Sequence, residues 1–351
     1  VKNGIGETIG IEIMSQNLNT KNILVTGAAG YIGGITCIEL KRRGYNVFGV
    51  DRRFFDHLKD YYDDFYHGDF TDNESFLLIK KVNPVAIIHC AGTSLVAPSF
   101  ISPGDYFNNN VAKTNKLLNF IKDEIPSTKF IFSSSAAVYG NWSTYPYREY
   151  SDTIPVSPYG ESKLMAEKIL SWYHQVYNLN YVSLRYFNAC GADYDAAHGQ
   201  EPYATHIFAK LFEAALNDTV FTLNGATYRT NDNTCVRDYV HVSDIADAHI
   251  KSIENKITGI YNLATLRGTS NLECLDYVEK LLDKKIVVNV APARKGDPAI
   301  LVADPTKFQV VTGWRAWRTI PLVVSHLQKW YESSIFKNYS NKRSQDAHPA
   351  L

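Results

Sequence analysis

A doubly wound, parallel α/β sheet followed by a smaller C-terminal domain built to wrap a ligand is the fold class that this 351-residue sequence predicts, and three observations carry it. Short apolar runs rich in β-branched residues recur from Lys21 to Asn188. Longer stretches with apolar residues at helical spacing separate them, and the first run opens straight into a glycine-spaced turn. Strands that alternate with amphipathic helices form βαβ units, whose crossover helices cover both faces of a parallel sheet.

The elements follow in order. Residues 1–20 keep no sustained period and begin on Val1, so they read as a flexible extension, with Met14 a candidate start. The run "NILVTG" is the first strand, and "GGITCIELKRRG" after it carries apolar residues every three to four positions, a helix. "YNVFGVD" and "VAIIHCAG" are the next strands, each short and closed by an acidic residue or a glycine. "NNVAKTNKLLNFIKDEI" reads as a helix, "KFIFSSS" as a strand, "GESKLMAEKILSWYHQVY" as a helix and "YVSLRYFN" as a strand. Residues 21–187 therefore form a nucleotide-binding type of sheet domain. Beyond it the regular alternation fades into turn-rich, polar-aromatic segments, so 188–335 read as the substrate-binding part, partly interleaved with the sheet. Residues 336–351 read as a polar tail, loose at its end.

Composition narrows the function classes. Thirty-six basic residues balance thirty-six acidic ones without long like-charge blocks, which argues against a nucleic-acid partner and for a small ligand. The five cysteines, Cys37, Cys90, Cys190, Cys235 and Cys274, are scattered and odd in number and form no Cys-x-x-Cys pair. That pattern disfavours a disulfide framework and a metal site, and points to a reducing, cytoplasmic setting. No apolar run is long enough to span a bilayer, so no membrane partner is expected.

Chemistry is concentrated at strand ends. Gly27, Gly30 and Gly33 stand at Gly-x-x-Gly-x-x-Gly spacing between the first strand and its helix. Such a turn lets backbone approach a pyrophosphate whose charge the helix N-terminus stabilises, the Rossmann arrangement for a dinucleotide. Asp51 ends the next strand, where a carboxylate accepts hydrogen bonds from adenosine ribose hydroxyls, which favours NAD over NADP. Arg52 and Arg53 are the competing signal, since arginine there can hold a 2′-phosphate, although a solvated turn explains them too. Asp69 and Phe70 in "HGDF" are candidates to flank the adenine, and an acidic turn is an equally fair reading.

Three later segments converge on the same edge: "HCAG", the serines 133–135 of "FSSSAAVYG", and "SPYGESK" with Tyr159 and Lys163. On a helix the last two side chains share one face, one turn apart. Alone, Tyr-x-x-x-Lys is met far more often on ordinary amphipathic surface helices. Together the segments make a hydride-transfer site: a serine hydroxyl to orient a substrate alcohol, Tyr159 to take its proton, Lys163 to lower the phenol pKa toward neutrality, and NAD to take the hydride.

In that order these motifs resemble the extended short-chain dehydrogenase/reductases. "RYFNACGA", "NDNTCVRDYVHVSDIADAH", "YNLA" and "APARKGDP" are similar to the UDP-glucose (UDP-galactose) 4-epimerases among them, over roughly Asn22 to Tyr331. The resemblance implies NAD contacts from Gly27, Gly30, Tyr31, Ile32, Asp51, Asp69, Phe70, Ala91, Gly92, Asn109, Tyr159, Lys163 and Phe187. It implies UDP-sugar contacts from Ser135, Asn188, His206, Leu223, Asn224, Arg237, Arg294 and Asp297, and it puts Leu301 beside the sugar 2-position. A homodimer is implied as well, joined through the two helices that contain Leu117, Leu118, Leu164 and Ile169. Arginines 237 and 294 suit a diphosphate. Two departures stand out: Ser94 replaces the lysine many of these epimerases carry after "AG", and the segment after Asp51 is short. A nucleotide-sugar 4,6-dehydratase is the nearest rival, but Ala136 and Ala137 occupy the positions of its Asp-Glu pair and alanine transfers no proton. A catalytically silent NAD sensor is the third reading, disfavoured by the retained Ser135, Tyr159 and Lys163.

Overall fold

A computed structural model describes residues 21–141, 145–294 and 297–345; the N-terminal twenty residues lie outside it. Seven parallel strands make the central sheet: β1 (Asn22–Thr26), β2 (Asn46–Asp51), β3 (Asp64–His67), β4 (Ala86–His89), β5 (Lys129–Ser135), β6 (Tyr181–Tyr186) and β10 (Gly259–Leu263), in the order β10-β6-β5-β4-β1-β2-β3. The strand order reverses beside β1, between β2 and β4. Ligands of open α/β sheets bind outside the strand carboxyl ends at such a switch point.

Alternation along β1 explains the two layers. Ile23 and Val25 point to one core, shared with Cys37 and Leu40 of helix α1 (Tyr31–Arg42), while Leu24 points to the other. That second layer is built from α2 (Asn73–Val82), α3 (Lys113–Glu124) and α4 (Pro158–Tyr177), whose Ile79, Leu117, Leu118, Ile121, Ala166 and Leu170 pack beneath the sheet. Ser157 caps α4, its hydroxyl accepting a hydrogen bond from the Gly160 amide at 3.1 Å, and Pro158 fills the first helical position, where its missing N–H costs nothing. The cap fixes where Tyr159 enters the site.

Past β6 the chain crosses repeatedly between two bodies. A second core forms around α5 (Ile207–Asn217), α7 (Asn271–Leu282) and α9 (Ile320–Glu332), with Phe212 stacked on Tyr331 at 5.0 Å. It carries two small sheets. In one, β9 (Val236–His241) pairs with β7 (Asn188–Cys190), β11 (Gly268–Ser270) and β13 (Ile300–Leu301); in the other, β8 (Phe221–Asn224) pairs with β12 (Val288–Ala291). Between these, α6 (Val242–Glu254) returns to pack on α1, and β10 closes the edge of the main sheet.

In the tail, Ser334–Gln345 forms helix α10, with Phe336 against Trp330 and Tyr331, because its first turn has an apolar face to bury; the tail's end, 346–351, lies outside the described residues. One expectation needs correction. Leu117, Leu118 and Leu164 cannot join a partner subunit, since all three are buried in the sheet cores, and Ile169 packs against the same layer. The apolar side chains that α4 leaves exposed are Met165, Trp172, Val176 and Tyr177. Among the described residues no helix is long and apolar enough to cross a membrane, and all five cysteines are free.

Candidate active site

The turn after β1 is set by backbone bonds: the Gly27 amide donates to Val50 O at 2.8 Å and the Gly30 amide to Gly27 O at 3.0 Å. Gly27 adopts φ +69°, and a Cβ there would come within 2.6 Å of the Ala91 amide nitrogen; a Cβ on Gly33 would reach 2.0 Å from Gly27 O. Gly30 caps α1 with no side-chain partner and no acid follows in the first turn, so the helix end, on the wall of the cavity described below, is left open to an anion. Asp51 stands beside it, accepting from the Ala29 amide at 3.0 Å and the Arg53 amide at 2.9 Å. Burial pushes the Asp69 carboxyl up, but Lys113 at 2.6 Å and the Thr71 hydroxyl and amide outweigh it and hold it low. Arg53 forms an ion pair with Glu201, from a loop that precedes α5.

Ser135 ends β5 and its Oγ accepts from the Ala137 amide at 3.2 Å. Tyr159 and Lys163 follow on α4, one turn apart, as their spacing predicts. The electrostatics differ from expectation. Burial pushes the Tyr159 phenol up, its hydrogen bond with Ser135 pulls the other way, and neighbouring Tyr106 raises it further. The Lys163 ammonium is turned to the strand end, donating to Ser133 O at 2.8 Å and lying 4.9 Å above the Phe132 ring. Burial lowers its own pKa to about 8 despite Cys90 and Glu167, which act to raise it.

Sequence reasoning missed the polar residues beneath this pair. Asn110 is buried and grips both sides, accepting from the Thr93 amide at 2.8 Å and donating to Thr93 O and Ser162 Oγ at 2.9 Å each. A π-helical turn, Asn108–Ala112, carries both it and its neighbour Asn109, whose Nδ2 also reaches Thr93, donating to Oγ1 at 2.9 Å. A second chain of hydrogen bonds runs from the catalytic strand to the glycine loop. Thr36 Oγ1 donates to Ile32 O at 2.8 Å, so it accepts from His249 Nδ1 at 3.0 Å. Burial lowers His249 to about 3, leaving the ring neutral with Nε2 bare to accept from Tyr186 Oη at 2.5 Å; that oxygen in turn accepts from Ser133 Oγ at 2.8 Å. No local spacing announces this chain, which joins α1, α6, β6 and β5.

One cavity of about 2090 Å³ unites these features, well above the roughly 300–1,000 Å³ that holds one drug-sized ligand. Its wall includes Gly27, Gly30, Tyr31, Ile32, Gly33, Asp51, Asp69, Phe70, Ala91, Gly92, Asn109, Ser135, Tyr159, Lys163 and Phe187 at the sheet side. Asn188, His206, Asn224, Arg237, Arg294, Asp297 and Leu301 line the other side. Leu223 does not line it. Along β8 the side chains alternate, so Leu223 enters the second core while Thr222 and Asn224 face the cavity. Arg237 is buried with its fork fixed: Nη1 donates to Val236 O at 2.9 Å and Pro298 O at 2.8 Å, and Nη2 lies 3.7 Å from Asp297 Oδ1. Leu301 pairs with Arg237 across β13 and β9.

The donor set fits NAD: an uncapped helix N-terminus over a close-packed glycine turn, a carboxylate at the end of β2, and an ammonium and an amide deeper in the same cavity. Similarity to known proteins agrees. A UDP-glucose 4-epimerase of Lactobacillus helveticus is 38% identical over 333 residues, covering 91% of this chain and 99% of the relative. The crystal structure of UDP-glucose 4-epimerase from Brucella ovis in complex with NAD superposes with a TM-score of 0.82 at 35% identity, covering 87% of this chain and 97% of that one. The enzyme from Bifidobacterium longum in complex with NAD+ and UDP gives 0.82 at 33% identity, covering 90% and 99%. A family model matches residues 23–264, from β1 to the end of β10, and the chain belongs to the NAD dependent epimerase/dehydratase family.

Proposed function

We propose that this protein inverts C4 of a UDP-hexose, interconverting UDP-glucose and UDP-galactose with NAD as a resident cofactor. The observation that carries the reading is the placement of Ser135, Tyr159 and Lys163 on one cavity wall between the glycine turn and the buried Arg237. When bound, NAD supplies an acceptor that takes the C4 hydride and gives it back, and its oxidised ring adds the positive charge that a raised phenol needs to ionise. Tyr159 takes the proton of the sugar 4-hydroxyl, holds it, and returns it after the 4-keto sugar has turned over. Ser135 steers that hydroxyl to Tyr159. Arg237 and Arg294 grip the diphosphate while the hexose turns in a cavity wide enough to let it. Proton and hydride both return, so no net oxidation occurs.

In this division of labour residues 21–187 hold NAD and 188–335 hold the sugar nucleotide, interleaved through α6 and β10. Dehydration has no support in the site, because Ala137 on the cavity wall carries no acid. The free cysteines suit a reducing cytoplasm. The assembly proposed is a homodimer through the exposed apolar face of α4, with Trp172 and Val176 at its centre. The reading is tested by incubating the protein with UDP-galactose and no added cofactor: UDP-glucose should form. A product lacking water, or no turnover by protein loaded with NAD, would sink it.

A further inference from the structure

The notable feature outside the proton-transfer cluster is the pairing of Arg53 with Glu201 at the cavity wall next to Asp51. Arg53 sits two residues past the strand-end carboxylate, a position from which an arginine of this fold can hold a 2′-phosphate, and its own amide donates to Asp51 Oδ1 at 2.9 Å. Its guanidinium, however, lies 5.4 Å from the Phe55 ring with Nη1 on the Glu201 carboxylate. Burial lowers the Arg53 pKa, but Glu201 outweighs it and the group is held more firmly charged. Asp51, Glu201, Arg52 and Arg53, which all line this wall, sum to zero charge. Without Glu201 they would sum to one positive charge facing a phosphate of nearly two negative ones.

We propose that Glu201 is a cofactor-specificity residue: by occupying Arg53 it denies the 2′-phosphate of NADP a guanidinium partner, and so reinforces the exclusion begun by Asp51. This rests on the NAD reading above, and it assigns a role to the loop before α5, which has no counterpart in the glycine-turn signal. The mechanism is electrostatic and double-edged, since the same arginine that could recruit the phosphate is neutralised from the other half of the chain. NAD carries no charge at the 2′ position, so the pair is close to neutral toward it.

The test is a titration of nucleotide-free protein with NAD and, separately, NADP, read by calorimetry, for wild type, Glu201→Gln and the double variant Glu201→Gln/Arg53→Gln. Glu201→Gln should tighten NADP binding about tenfold, the effect of one unit charge at this range in a partly exposed site, and should change NAD affinity less than about threefold. The gain should shrink as salt rises, and should vanish in the double variant. No gain in Glu201→Gln, or a gain that survives loss of Arg53, overturns the assignment. Wild-type protein that binds NADP in preference to NAD would instead overturn the cofactor reading beneath it, a result separate from the first two.

Discussion

Lys163 is a buried ammonium whose presence should cost the nucleotide-free protein stability, and its replacement by methionine measures that cost. The side chain is 5% exposed, and burial brings its pKa from 10.5 to about 8. The sign follows from proton counts. Between about pH 8 and 10.5 the unfolded chain holds a proton that the folded one has lost, so stability rises with pH across that window; below pH 8 both are protonated and the full penalty applies. A drop of two to three units corresponds to about 3 kcal/mol. Against it stand the bond to Ser133 O, worth about 1 kcal/mol, and the contact with the Phe132 ring, worth about 0.5–1 kcal/mol. Methionine is unbranched and of similar length, so it fills the space. Lys163→Met should therefore be more stable by about 1 kcal/mol at pH 7, raising Tm by about 2–3 °C in a chain of this size, while its epimerase activity is lost. The assay is thermal unfolding of both proteins, stripped of nucleotide, from pH 7 to 10. The advantage should fade as pH rises past 8; a lower Tm for the variant at pH 7, or a gain that ignores pH, would refute the penalty.

Tyr159→Phe should bind NAD and UDP as before yet turn over at least about a hundredfold more slowly, the usual loss for a missing general base; near-normal turnover would remove Tyr159 from the mechanism. Glu167→Gln should destabilise the protein by about 3 kcal/mol, because it leaves Arg185 charged in a buried pair held at 2.7 Å and weakens acceptance from Ser134 Oγ at 2.6 Å. Denaturant unfolding measures it, and a change below about 1 kcal/mol would show the pair to be dispensable. Leu301→Tyr should slow UDP-N-acetylgalactosamine more than UDP-galactose, since an apolar pocket separates such substrates by only about 1–3 kcal/mol. Equal loss of kcat/KM on both sugars, or no acetylated turnover in wild type, would take Leu301 out of the sugar pocket.

Much of the fold is local information. β1, β2, β4, β5 and β6 coincide with apolar runs because strands buried on both faces must be apolar throughout, and burial along β4 and β6 is unbroken. The strand Asp64–His67 escaped notice, being four residues of mixed polarity at the sheet edge, where only one neighbour and little burial constrain its composition. β10 was quoted for its "YNLA" ending but not as a strand of the main sheet, since pairing with β6 from so far along the chain is a tertiary choice.

The site divides the same way. Gly27, Asp51, Tyr159 and Lys163 are legible because their chemistry depends on backbone geometry or on spacing within one turn, and the sequence by itself determines both. Leu223 and Asn224 were both expected on the sugar nucleotide, and only the alternation along β8 decided that the Leu223 side chain enters the second core while Thr222 and Asn224 face the cavity. Direction of charge was decided by packing as well. Lys163 is near Tyr159 along the helix, yet Ser133 O captures its ammonium and burial raises the phenol, because desolvation depends on what surrounds a group in space. Asn110, His249, Tyr186 and Glu201 are invisible to spacing for the same reason: each acts through a partner on another element, and only folding brings the two within hydrogen-bond range.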